Sequence, residues 1–161
     1  PFDIEKQGSW YYEMQELGYN YRITDIQATL GVSQLKRAKA NLLKRQEIAK
    51  RYKEAFELLG IKFQEVKESY ANAFHLFVIE VENRLGLYNF LKENGIYAQI
   101  HYIPVHLHPY YQKMGWKKGD FPVSENYYQH CISLPMFPTL NNMELEYIID
   151  QIKFFCNVSD N

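Results

Sequence analysis

Three histidines fall within eight residues, His101, His106 and His108, in the stretch His101-Tyr102-Ile103-Pro104-Val105-His106-Leu107-His108-Pro109. Imidazole donates and accepts hydrogen bonds near neutral pH, and loops leaving a strand are where a rigid scaffold presents working side chains. Such a loop therefore suits sugar hydroxyls or phosphates. A metal site is not expected, because tetrahedral zinc wants a fourth ligand and this spacing, broken by a proline, is not a standard one. A second cluster, Gly18-Tyr19-Asn20-Tyr21-Arg22, stands just before a helix start. Free N–H groups and the helix dipole favour an anion there, with Asn20 and Arg22 as added donors. The alternative, that Asn20 and Arg22 only satisfy loop backbone groups, stays open on five residues.

A third candidate is the basic run Lys36, Arg37, Lys39, Lys44, Arg45, Lys50, Arg51 and Lys53, which could follow a phosphate backbone. It carries no aromatic platform or nucleic-acid reading motif, and at helical spacing it surrounds an apolar stripe, so a solvated helix face is expected. Nucleic acid is not an expected partner, since 18 basic against 19 acidic residues leave a net charge of -1. No Gly-rich phosphate loop, nucleophile elbow or HExxH motif is present. Cys131 and Cys156 suit neither a metal spacing nor a disulfide scaffold, which fits a reducing, cytoplasmic setting. No apolar run reaches the roughly 18 residues of a membrane span, so no membrane partner is expected. The chain opens at Pro1 without a methionine and reads as a segment of a longer protein.

The elements that must position these clusters follow from periodicity. Thr24 and Gln27 form a capping box, and a long helix is predicted over 24–59 with Ile26, Leu30, Leu35, Ala38, Leu42, Ala49, Tyr52, Phe56 and Leu59 on one stripe. At about 1.5 Å per residue it outgrows a small domain, so it either kinks near Lys39–Asn41 or runs on to a partner. Gly60 stops it. Strands are predicted over 61–66, 75–81, 96–102 and 131–135, with His75 as a core histidine. Helices are predicted over 85–93, around 110–114, from Pro122 to His130, and after a cap at Asn141 or Asn142. The fold class is α+β, a long helix followed by a small mostly antiparallel sheet with flanking helices. One domain is expected over 1–161: a connection over 1–23, the helix over 24–59 and a small α+β domain over 60–161.

The segments GYNYRITDIQATLGVSQLKR, KRQEIAKRYKEAF, GIYAQIHYIPVHLHPYY and SENYYQHCISLPMFPTL, in that order, resemble the DegT/DnrJ/StrS nucleotide-sugar aminotransferases across essentially the whole chain. The resemblance implies the C-terminal domain of a fold-type I, pyridoxal-phosphate-dependent enzyme in surface polysaccharide biosynthesis. Its Schiff-base lysine would lie outside this chain, so the segment alone should not transaminate. The implied reaction moves an amino group from glutamate to a nucleotide-linked keto sugar, closest in feel to the 4-keto-6-deoxy sugars of pseudaminic acid synthesis. By the same resemblance Asn20 would reach the cofactor phosphate of the neighbouring subunit in a homodimer. Arg22 would meet an anionic group, and His101 and Tyr102 would face the nucleotide sugar. Relatives often carry a basic residue where this sequence has Ile103. A non-catalytic nucleotide- or sugar-binding module is the alternative.

Overall fold

The computed structural model describes residues 18–19, 21–67 and 69–159, with no side-chain description at 158 and 159. The chain divides inside its long helix into two units, Pro1–Lys36 and Arg37–Asn161. In the first, the capping box closes in both directions: Thr24 N donates to Gln27 Oε1 at 3.0 Å, and Gln27 N to Thr24 Oγ1 at 3.3 Å. Helix α1 then runs unbroken over Asp25–Glu57. Ile26, Leu30 and Leu35 on its stripe are exposed, whereas Ile48, Ala49, Tyr52 and Phe56 are buried. Its end is a turn at Gly60, whose φ of 65° suits a residue without a Cβ.

The second unit is built on a three-stranded antiparallel sheet in the order β1 (Lys62–Phe63), β2 (Phe77–Glu80), β3 (Cys131–Leu134). Register is set by Phe63 opposite Ile79 and by Ile79 opposite Ile132. Helices α2 (Arg84–Glu93), α3 (Pro109–Gln112), α4 (Pro122–His130) and α5 (Asn142–Ser159) flank it. The core joins the buried face of α1 to Phe77, Ile79, Leu87, Leu91, Ile132, Leu134, Ile148, Ile149 and Ile152. Of the predicted α1 stripe, Ala49, Tyr52 and Phe56 are among these core residues. Asn141 is the cap of α5, its Oδ1 accepting from Glu144 N while Glu144 Oε2 accepts from Asn141 N, both at 2.9 Å.

Three expectations change. The strand predicted over 96–102 contracts to one bridge between Gln99 and Ser133, because the chain turns away from β3 after a single exchange of backbone hydrogen bonds. The first strand holds only two residues. His75 is exposed ahead of β2 rather than packed in the core. Arg45 of α1 reaches the same corner and donates to the backbone carbonyls of Phe74 (3.2 Å) and Met136 (2.7 Å), fastening the approach to β2 against the exit from β3. Phe74 there holds a φ of 46°, and its N–H donates to Asn72 Oδ1 at 2.7 Å.

Much of the basic run is likewise engaged in structural contacts. Lys44 pairs with Glu47 and Lys50 with Glu54, Arg51 meets Glu146 of α5, and Lys53 lies over the Phe74 ring.

Candidate functional site

The loop between the Gln99 bridge and α3 carries the predicted sugar-facing residues. Pro104 opens a 3-10 turn over Val105–Leu107, closed by Leu107 N donating to Pro104 O and His108 N to Val105 O. Proline fixes its own φ and leaves no donor to satisfy, which suits the start of such a turn. Pro109 does the same at the first position of α3, behind His108.

The three histidines of this loop part company. His101 Nδ1 lies 2.8 Å from Ser133 Oγ on β3, and its ring meets Tyr102 edge-on with centroids 4.7 Å apart. His106 turns inward: its Nε2 is 2.8 Å from Glu125 Oε1, and each residue is only 7% exposed. Glu125 Oε1 also accepts from Gly119 N at 2.7 Å. Those two bonds, that from His106 foremost, hold the Glu125 carboxyl below the usual carboxylate range. His108 turns outward to line a surface groove. No group of three or more potential metal ligands gathers among the described residues.

That groove, of about 510 Å³, is lined by Ile100, Tyr102, Ile103, Val105, His108 and Tyr128. Tyr102 stands 72% exposed on its wall. Tyr128 forms another part of the wall and is braced by Arg84, which donates to its carbonyl and lies with its guanidinium 4.9 Å from its ring centroid. The groove thus offers aromatic faces, a phenol and an imidazole, the set that recognises a polar ring with hydroxyls. Ile103, where a basic residue is common in the resembling family, contributes apolar wall instead. A second cleft of about 260 Å³ runs along Ile96, Tyr97, Phe137, Leu140 and Ile148. Its lining is mostly apolar, with the Glu144 carboxylate and the Tyr97 and Tyr147 phenols at its edge, and it carries none of the predicted site residues.

The remaining predicted residues lie in the first unit. Arg22 is exposed and engaged in a contact of its own, and the rings of Tyr19 and Tyr21 stack at 5.3 Å. Asn20 falls outside the described residues. Sequence reasoning missed Glu125, Ser133, Arg84 and Tyr128. Their partners stand 19, 32 and, for Arg84 with Tyr128, 44 residues away, too far for any local pattern to signal.

Residues 2–153 match the model of the DegT/DnrJ/EryC1/StrS aminotransferase family. Spore coat polysaccharide biosynthesis protein SpsC of Bacillus subtilis is 39% identical over 155 residues, 91% of this chain and 40% of that protein. UDP-4-amino-4,6-dideoxy-N-acetyl-β-L-altrosamine transaminase of Campylobacter jejuni is 31% identical over 157 residues, 92% of this chain and 41% of the relative. Among solved structures, Spr1654 of Streptococcus pneumoniae, a candidate sugar aminotransferase, superposes in its PMP form with a TM-score of 0.81 at 29% identity, covering 96% of this chain and 41% of that one. The same protein is known in a PLP form. The chain spans about 40% of the length of the curated relatives it matches. By family match and by fold, it belongs to the DegT/DnrJ/EryC1/StrS aminotransferases.

Proposed function

We propose that this segment walls the sugar side of the active site in a pyridoxal-phosphate-dependent aminotransferase. The whole enzyme would transfer an amino group from glutamate to a nucleotide-linked keto sugar, a 4-keto-6-deoxy hexose, for surface glycan assembly in the cytoplasm. The observation that carries this reading is the groove lined by Tyr102, Val105, His108 and Tyr128, built by the stretch in which the family resemblance is also strong. A pyranose presents both C–H faces and hydroxyls. The Tyr102 and Tyr128 rings offer surfaces for the first, and the Tyr102 phenol and His108 imidazole offer partners for the second. His101, tied to Ser133, supports the Tyr102 ring edge-on and so limits where its hydroxyl can point.

The described residues do not by themselves make a cofactor site. No described lysine is buried, and none lines the groove. By the family resemblance, the amine that would hold pyridoxal phosphate is assigned to the remainder of the enzyme, where the cofactor, when bound, would supply the electron sink. Asn20 and Arg22 are proposed as contributors from this segment, Asn20 to the cofactor phosphate of a neighbouring subunit and Arg22 to an anionic group of a substrate.

The test separates the two half-reactions in the full-length enzyme. Tyr102→Ala is expected to raise the KM for the keto sugar about tenfold, the equivalent of about 1.4 kcal/mol, while reaction with glutamate stays within twofold. Equal losses in both half-reactions would remove Tyr102 from the sugar wall.

A further inference from the structure

We infer that His106 and Glu125 are positioning residues that fix the sugar-facing loop from behind, an inference that rests on the function proposed above. Along the loop the side chains alternate in duty. Val105 and His108 line the groove, while His106 between them is buried against Glu125. Behind the wall, Glu125 Oε1 gathers two donors from two separate loops, His106 Nε2 at 2.8 Å and Gly119 N at 2.7 Å. The Phe121 ring closes over the imidazole, with centroids 4.8 Å apart. An ionised carboxylate only accepts, so the histidine tautomer facing it must carry its proton on Nε2.

Pro104 of the loop is also buried, but the loop has few other hydrogen-bonded fastenings. Its backbone hydrogen bonds are local ones within the 3-10 turn and the start of α3, and Gln112 Nε2 caps Leu107 O at 3.0 Å. At its near end the chain is held by the Gln99 bridge and by His101 against Ser133. Between those points, the side-chain hydrogen bond from the loop to α4 is the His106–Glu125 pair. Charge-assisted hydrogen bonds of this kind are short and directional, and a buried one fixes a side chain far better than a solvated one. The positions of Val105 and His108 in the groove are thereby tied to the position of a carboxylate that never meets the substrate.

The geometry makes a distinction between two conservative substitutions. In His106→Gln the side-chain amide nitrogen replaces Nε2 and can still donate to Glu125. In His106→Asn the amide reaches only as far as Nδ1 would, and the bond is lost. In the full-length enzyme, His106→Asn is expected to raise the KM for UDP-4-keto-6-deoxy-N-acetylhexosamine at least fivefold, with kcat and the glutamate half-reaction within twofold. His106→Gln should stay within twofold of wild type throughout. A KM for His106→Asn within twofold of wild type, or a KM for His106→Gln raised as far as that for His106→Asn, would overturn the inference, as would a fall in the glutamate half-reaction. Should His106→Asn not fold, Glu125→Asp, which keeps the charge but shortens the reach, decides by the same KM-against-kcat split. Hydrogen exchange at the Leu107 and His108 amides gives a reading independent of activity. Exchange at least tenfold faster in His106→Asn but not in His106→Gln supports the latch, and equal exchange in all three proteins overturns it. If wild type turns over no nucleotide-linked keto sugar, the aminotransferase reading fails on its own, and the exchange comparison still decides the latch.

Discussion

At the scale of single residues, the loop over 101–108 shows how one residue type can serve three ends. His101 is anchored to β3, His106 is buried against α4, and His108 faces the groove. The sequence reveals the cluster and its place after a strand-like run, but not the sorting. That depends on Ser133 and Glu125, which only the fold brings near. The buried Glu125 also makes a pH prediction. Its carboxyl is depressed by the hydrogen bond from His106 and then by that from Gly119. Its contribution to stability is therefore fully present above the unfolded value of about 4.3 and is lost as pH falls through the lower folded value. Glu125→Gln, which cannot ionise, is expected to show a smaller drop in urea midpoint between neutral pH and pH of about 3 than wild type. Parallel midpoint curves for the two proteins would show that the pair is not linked to acid stability.

At the scale of elements, the strongly punctuated helices were legible and the short strands were not. Capping boxes at Thr24–Gln27 and Asn141–Glu144, and Pro122 at a first-turn position, are local signals that decide a helix start without help from the rest of the chain. The run over 96–102 has a fair strand composition, yet strand formation needs a partner edge, and β3 offers its free side for one bridge only. Near the start of α2 the caps even compete with propensity. Asn83 accepts from Gly86 N at 3.0 Å, and a Cβ at Gly86 would come within 2.5 Å of the Asn83 side chain. Alanine normally gains about 1 kcal/mol over glycine inside a helix, and loss of an N-cap costs about the same. Gly86→Ala is therefore expected to leave the thermal midpoint nearly unchanged in wild type and to raise it clearly in an Asn83→Ala background. A full gain in both backgrounds would mean that the cap contributes little.

At the scale of the whole molecule, the apolar stripe of α1 continues beyond its buried part. Ile26 and Leu30, four residues apart, and Leu35 remain exposed, whereas Ile48, Ala49, Tyr52 and Phe56 enter the core. Exposed apolar surface of this kind promotes association. The 161-residue chain expressed alone is expected to self-associate with rising concentration in sedimentation, and the pair Leu30→Glu and Leu35→Glu is expected to weaken that association. Unchanged sedimentation in the double variant would move the contact elsewhere. The sequence exposed the helix, its stripe and the family likeness. It could not show where the stripe stops being buried, because that boundary depends on which elements pack against α1.

If the proposed function holds, the complete enzyme aminates a nucleotide-linked sugar. The purified full-length protein should be treated with L-glutamate and then with a nucleotide-linked 4-keto-6-deoxy hexose, and the products identified by mass spectrometry. 2-Oxoglutarate and the nucleotide-linked amino sugar are expected in equal amounts. Formation of 2-oxoglutarate while every such keto sugar is returned unchanged would rule out a nucleotide-linked keto sugar as the amino acceptor.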